Sequence, residues 1–316
     1  MKNILSKRAL LISALFLSQP AFASGTLDTY NLIVKDDLTS SQHIYEKVIV
    51  GGDLHIDGNL EVGSRINSDP KVDAVSVVGD INSGLLKAMQ GHNIVYGGVN
   101  SANVELNGSG GSIRQENQAQ LGQEFDVLYD QVMSESLYYK NLTANSIFDT
   151  SDTNNMKLIS GASVSDPLQI YDIAATDTLS VQNASFDFSS KPTTPVVINV
   201  SGTDIIIKSK ATGSFATQQF ASMVLWNFYE AESIEFSQDG WYGSVLAPYA
   251  DITAGNAGAM NGSIAALSYE GNIEIHNALY NYTPPTPPTA VSEPGSLIVF
   301  ATGLLALIRI QRRKRV

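Results

Sequence analysis

The pentapeptide Gly243-Ser244-Val245-Leu246-Ala247 returns 19 residues later as Gly262-Ser263-Ile264-Ala265-Ala266. A recurrence this short, one apolar run closed by small residues, matches a single turn of a stacked coil. The N-terminal third uses the same grammar. Val48-Ile49-Val50 ends at Gly51-Gly52-Asp53, Val75-Ser76-Val77-Val78 at Gly79-Asp80, and Ile94-Val95-Tyr96 at Gly97-Gly98. Gly79 to Gly98 is again 19 residues, whereas Gly52 to Gly79 is 27, so the period is loose. Leu54, Ile56, Leu60 and Val62 alternate with polar neighbours, as in strands with one buried face. We therefore expect a mainly β fold, a right-handed β-solenoid (β-helix) of roughly eight to ten rungs, each burying its inward face on the next. A β-sandwich, with short strands every 8 to 12 residues or so, is the alternative.

Composition agrees and excludes several chemistries. Charged residues make up 16% and hydrophobic residues 43%, with 25 Gly and 11 Pro, which rules against disorder and against a long charged helix. No cysteine is present, so disulfides, thiol nucleophiles, zinc-thiolate sites and iron-sulfur clusters are excluded for this chain.

One segment breaks the β pattern. Leu121, Phe125, Leu128 and Val132 fall at steps of four, three and four, and no proline interrupts the segment from Ser112 to Asn141. Ser112 and Gln115 match a capping box, so the spacing predicts one long flanking α-helix over about 113–140, lying along the β core. Gly122 weakens it by roughly 1 kcal/mol relative to alanine. Residues 149–191, rich in Ser, Thr, Asn and Asp, are expected to form a loop-bearing excursion.

The two ends differ from the body. Lys2, Lys7 and Arg8 precede the apolar run Ala9 to Leu17, and Ala21 and Ala23 put small residues at the −3 and −1 positions of a cleavage point. This is the pattern of a secretory signal peptide over residues 1–23, cut by signal peptidase after Ala23. At the other end a Pro-rich linker, residues 283–291, favours extended polyproline backbone. It leads to Ser292-Glu293-Pro294, an apolar run from Gly295 to Ile308, and a basic end containing Arg309, Arg312 and Arg313. Such a run rises roughly 21 Å as helix against a ~30 Å hydrocarbon core, making a short C-terminal transmembrane helix with snorkelling Arg stems. The positive end stays on the cytoplasmic side.

This three-part tail, residues 292–316, resembles the PEP-CTERM sorting signal, although Ser292 stands where that family usually carries its first Pro. The resemblance implies an exosortase as processing partner, a transient inner-membrane anchor, and a cut near Ser292, Glu293 and Pro294 that releases the protein to the cell surface or beyond. A permanent single-span anchor is the alternative. Between the ends, Ser24 to Ser292 holds 11 basic against 30 acidic residues, a net of −19 where the whole chain shows −12. A body so acidic excludes a nucleic-acid partner, because phosphate binding rests on clustered Lys and Arg.

A second resemblance covers the body, residues 24–282. Leu38-Thr39-Ser40-Ser41, Leu225-Trp226-Asn227-Phe228, Gly240-Trp241-Tyr242-Gly243 and Gly271-Asn272 leading to Ile275-His276-Asn277 are similar to blocks of the choice-of-anchor A domain. That family implies an exported bacterial surface protein, regarded as adhesive and without established catalysis. Lys35-Asp36-Asp37 departs from the Gly-bearing turn usual there.

The residues themselves offer no catalytic signature. His43, His55, His92 and His276 form no His-x-His or His-x-x-x-His pair and read as polar surface or turn residues. Gly108-Ser109-Gly110-Gly111 lacks the Lys of a phosphate cradle and reads as a loop. Asp36 with Asp37, Asp53 with Asp57, and Glu230 with Glu232 are carboxylate pairs, but 30 acids make proximity inevitable. No cofactor is expected, and calcium on turn carboxylates is the open alternative, with no EF-hand or nonapeptide calcium repeat. The 13 tyrosines read as core or rim residues rather than as a sugar-stacking ladder. Ice binding would need a flat threonine array, and only Thr176-x-Thr178 has the spacing. The expectation is a non-enzymatic surface or extracellular-matrix protein that binds extracellular polysaccharide or itself. The alternative is a calcium-dependent β-helix that binds or cleaves polysaccharide.

Overall fold

Strand side chains alternate between two faces, and the short apolar runs use that alternation to fill one interior. Leu32, Val34, Val48, Val50, Val75 and Val77 are buried together, while Ile49 and Ser76 between them face outward. The computed structural model describes residues 25–67, 71–238, 240–255 and 258–285, all but the last within the unit Ser24–Pro284.

Three ladders of short strands and a further four-stranded sheet build this unit. The first holds ten strands, in the order Ile113–Gln115, Asn93–Tyr96, Asp73–Val77, Val48–Val50, Leu32–Val34, Ile264–Gly271, Ser244–Ala254, Val224–Asn227, Val196–Ser201 and Gln169–Ala174. Every neighbouring pair in it is parallel. Ser244–Ala254 and Ile264–Gly271 bend on into a second ladder with Asp204–Ile207, Ser233–Phe236, Leu38–Ser40, Leu54–Ile56 and Ile81–Asn82. A separate seven-stranded sheet, from Asn103–Leu106 to Trp241–Tyr242, forms the third. The 19-residue recurrence is one rung, since Val245 pairs with Ile264. The looser spacing is also one rung: the amides of Gly79 and Gly98 donate to the carbonyls of Gly52 and Gly79.

Chain order is not stacking order. Leu32–Val34 lies between Val48–Val50 and Ile264–Gly271, so the first rung enters mid-stack and rests on the last. From there the chain runs to one end at Ile113–Gln115, crosses by the long helix, and returns from Gln169–Ala174 to the middle.

That helix, α1, spans Gln118–Lys140 and is capped by the Asn117 side chain, which accepts from the Gln120 amide. The expected start at Ser112 is corrected: Ile113–Gln115 is a strand, because its backbone completes the terminal rung on Asn93–Tyr96. The Ser112 amide and hydroxyl instead donate to Asn93 Oδ1. Phe125, Tyr129, Val132 and Tyr139 of α1 bury against Ile33, Val197, Leu225 and Leu246 on the outer surface of the first ladder. Asn199 and Asn227, stacked on neighbouring rungs, donate to the Tyr139 and Ser136 carbonyls, satisfying polar groups that burial would otherwise leave costly.

Residues 149–191 are corrected as well. They supply Met156–Ile159, Gln169–Ala174 and Ser185–Phe188, two of them in a four-stranded sheet with Ile147–Asp149 and Lys210–Ala211. The rungs here are wider, Gln169 pairing with Val196 and Val196 with Val224. Phe186, Phe188, Phe215, Trp226 and Trp241 fill the extra interior with edge-to-face, stacked and tilted ring contacts.

Candidate functional site

The outer surface of the second ladder is acidic, and its register shows why. One outward column runs Asp204, Ser233, Asp251, Ser268. A second runs Ile206, Glu235, Thr253, Glu270, Thr39, His55, Asn82. At the N-terminal rungs the corner residue before each strand is Asp37, Asp53 or Asp80. Each carboxylate accepts the backbone N–H of the next corner: Asp37 from Asp53 at 2.8 Å, Asp53 from Asp80 at 2.7 Å, and Asp80 from Val99 at 2.7 Å.

The glycines before these corners leave room for the carboxylates. A Cβ on Gly52, Gly79 or Gly98 would meet the preceding rung's Asp oxygen at 2.4, 2.1 or 2.0 Å. This accounts for Lys35-Asp36-Asp37. The rung beneath it presents Leu267 and Ser268, with no corner Asp, so a side chain at position 36 has space.

Asp37, Asp53 and His55 form the one described group whose ligand atoms lie within 4.8 Å of one another. One oxygen of each Asp already holds the next rung, so the ladder explains both carboxylates without a cation. Asp57 lies past its strand, exposed at the following corner.

Histidines cluster where first and last rungs meet on the third ladder. His43 lies 3.3 Å from Glu61 and 3.2 Å from Glu274, and His276 lies 3.1 Å from Glu274 and 2.9 Å from Asn261 Oδ1. The hydrogen bond from His276, followed by the neighbouring His43, keeps the Glu274 carboxyl below its ordinary value. His92 corrects the surface expectation: it is buried, its ring accepting from the Val72 amide and touching the Ile66 carbonyl. Only Tyr249 among the 13 tyrosines is exposed, and Tyr129, Tyr139, Tyr171, Tyr269 and Tyr280 are buried, which removes a tyrosine ladder. Thr178 is buried and Thr176 lies in a 3-10 turn, so that spacing builds no surface array.

The entry and exit of the unit share one corner. Asp28 accepts the Gly25 amide at 3.0 Å and the Thr283 hydroxyl at 3.0 Å. Beside it, buried Glu135 of α1 accepts both the amide and the hydroxyl of Thr26. The sequence reading missed this clasp, since Asp28 and Thr283 are 255 positions apart with no shared motif. The processing residues Ala21, Ala23, Ser292, Glu293, Pro294, Arg309, Arg312 and Arg313 lie outside the described residues. Among the described residues no helix is long and apolar enough to cross a membrane.

Residues 23–277 match the family model described as "Putative Ice-binding-like adhesive domain". No curated protein sequence matches the chain. An ice-binding protein from the Antarctic ascomycete Antarctomyces psychrotrophicus is similar in structure at 11% identity and a TM-score of 0.34, over 81% of this chain and 97% of its own. A glycosylated ice-binding protein from an Arctic yeast aligns at 9% identity and a TM-score of 0.31, over 87% of this chain and 100% of its own. One from an Antarctic Flavobacteriaceae bacterium aligns at 10% identity and a TM-score of 0.25, over 81% of each chain.

Proposed function

This chain belongs to the ice-binding-like adhesive domain family, and from that premise we propose that it is an exported, non-catalytic adhesive or matrix module of a bacterial surface. The observation that carries the reading is the clasp at Asp28, where the body's entry at Gly25 and its exit at Thr283 meet. A domain held at that single corner turns both ends of its stack and its outer ladders toward the surroundings. The choice-of-anchor A and PEP-CTERM resemblances give the finer form of the proposal. Signal peptidase cuts after Ala23, Arg309, Arg312 and Arg313 hold the tail in the inner membrane, and an exosortase cuts near Ser292, Glu293 and Pro294. Extracellular polysaccharide or a second copy of the chain is then the partner.

The surface supports adhesion over ice binding. In the outward column of the second ladder, Thr253 and Thr39 are separated by Glu270 and followed by His55. Charged, hydrated side chains of unequal length break the flat threonine array that ice would require.

Intact-mass measurement of protein recovered outside the inner membrane tests the sorting. The expected product begins at Ser24 and ends near Pro294; a recovered product that retains Arg312 overturns it. Binding of that mature protein to immobilised polysaccharide, saturable and without release of new chain ends, is the expected result for adhesion. New reducing or unsaturated ends would count against it.

A further inference from the structure

Helix α1 does not cover the first ladder evenly. Over the C-terminal rungs it is bolted down by Asn199 and Asn227, and Tyr129 donates to the Pro248 carbonyl at 2.7 Å. Over the N-terminal rungs it follows the glycine corners instead. A Cβ on Gly51 would strike the Phe125 ring at 2.5 Å, and one on Gly97 would lie 2.8 Å from the Gln118 backbone. The helix therefore rests on the strand ends and leaves the strand beginnings open, as a cleft of about 350 Å³. That volume falls at the small end of the roughly 300–1,000 Å³ typical of ligand sites.

The floor is the outward column Ile49, Ser76 and Val95, and α1 supplies Leu121, Phe125 and Leu128 as an apolar wall. Opposite stand Tyr30, Lys47 and Asp73. The Tyr30 and Ser76 hydroxyls and the Lys47 ammonium have no hydrogen-bond partner among the described residues, and the Lys47 charge acts on Asp73 and Glu46. Three donors without hydrogen-bond partners thus line the cleft beside the apolar Ile49 and Val95. The rim sets three carboxylates, Asp73, Glu116 and Glu124, against two cations, Arg114 and Lys47. Arg114 pairs with Asp73 and with Glu116, each at 2.7 Å, leaving Lys47 against Glu124. A rim of net −1 on a body of net −19 repels anions, and the Lys47 ammonium in the cleft opposes a cation.

A ligand for this cleft needs an apolar face for Ile49, Val95 and Leu121, acceptors for three donors, and no net charge. A pyranose ring has that combination, with C–H groups on its face and hydroxyls at its edge. We propose that the cleft between α1 and the N-terminal rungs binds one or two residues of an uncharged saccharide. The inference rests on the adhesive reading and names its ligand class and its site.

Methyl-labelled protein titrated with maltotetraose, cellotetraose and chitotetraose, with tetragalacturonate as the charged control, tests it. At least one neutral probe should shift the methyl signals of Ile49, Val95 and Leu121 and leave those of Ile206 unmoved. Affinity should fall about tenfold or more in Ser76→Leu, which fills the floor, and severalfold in Tyr30→Phe, which removes one donor. The wild-type spectrum elsewhere reports that each variant is folded. No cleft shift with any neutral probe at millimolar concentration overturns the inference, as does a shift with tetragalacturonate alone, or shifts undiminished in both variants. Concentration-dependent cleft shifts without sugar would identify a second copy as occupant and also overturn it. Retention of the mature protein on polysaccharide is measured separately. Adhesion without cleft shifts refutes the cleft alone; cleft shifts without adhesion refute the adhesive reading alone.

Discussion

Gly79 shows how tightly a corner of this stack is specified. A methyl group there would sit 2.1 Å from Asp53 Oδ1 and 2.6 Å from the Gly52 carbonyl oxygen, and the second obstacle is backbone that cannot rotate away. Gly79→Ala should lower stability by about 1–3 kcal/mol, the usual cost of overpacking. Asp53→Ala, which orphans the Asp80 amide, should cost about 1–2 kcal/mol, and Asp53→Asn less because it keeps an acceptor. Urea midpoints check all three; a Gly79→Ala protein as stable as the parent would show that the corner relaxes freely. These residues were legible in the sequence as Gly-Asp pairs closing apolar runs. Their purpose was not, because the carboxylate serves the following rung, 27 residues on, and no local pattern announces a partner at that distance.

At the scale of the element, the terminal strand Ile113–Gln115 is held by more than its ladder. Arg114 reaches back two rungs to make two hydrogen bonds to Asp73, at 2.9 and 2.7 Å. Burial alone would raise the Asp73 carboxyl, but the hydrogen bonds from Arg114 and then Asn93 outweigh it, and the group sits below its ordinary 3.8. A carboxyl depressed by folding contributes stability that is complete above the unfolded value and is lost as pH falls through the folded one. Arg114→Ala should therefore be less stable than the parent at pH 7, and the gap should narrow as pH falls below about 3.8. Urea midpoints at pH 7 and pH 3 measure this, and a gap constant across that range would exclude the linkage. The helix illustrates what sequence reading resolves at this scale. Its apolar face was plain from Phe125 and Val132, but Ser112 and Gln115 imitate a capping box. Deciding against them requires knowing that Ile94 waits to pair with Ile113.

For the whole molecule the informative feature is the first rung's place in the middle. Leu32 pairs with Ile264 across 232 positions, and parallel pairing at such separation leaves no trace in periodicity, which is why the solenoid was readable and its order was not. A permuted chain, opened after Asn141 with residue 284 joined to residue 25 by a short linker, would lay its rungs down consecutively. It should reach the same fold and refold faster, since loop closure across long separations slows folding. Stopped-flow refolding compares the two, and an equal or slower permutant would contradict the argument.

Under the adhesive function proposed above, the exit at Thr283 has a mechanical meaning. Tension on that exit does not reach a terminal rung, from which strands could peel one after another. It arrives at Tyr280, buried against Tyr139, and at Asn281, whose amide is bound to the Ser222 carbonyl. Beyond them stands the junction of first and last rungs, where Ile275 pairs with Ile44 and Glu274 joins His43 to His276. Force entering at the exit thus meets neighbouring bonds in the interior of the stack rather than a terminal strand that could peel away.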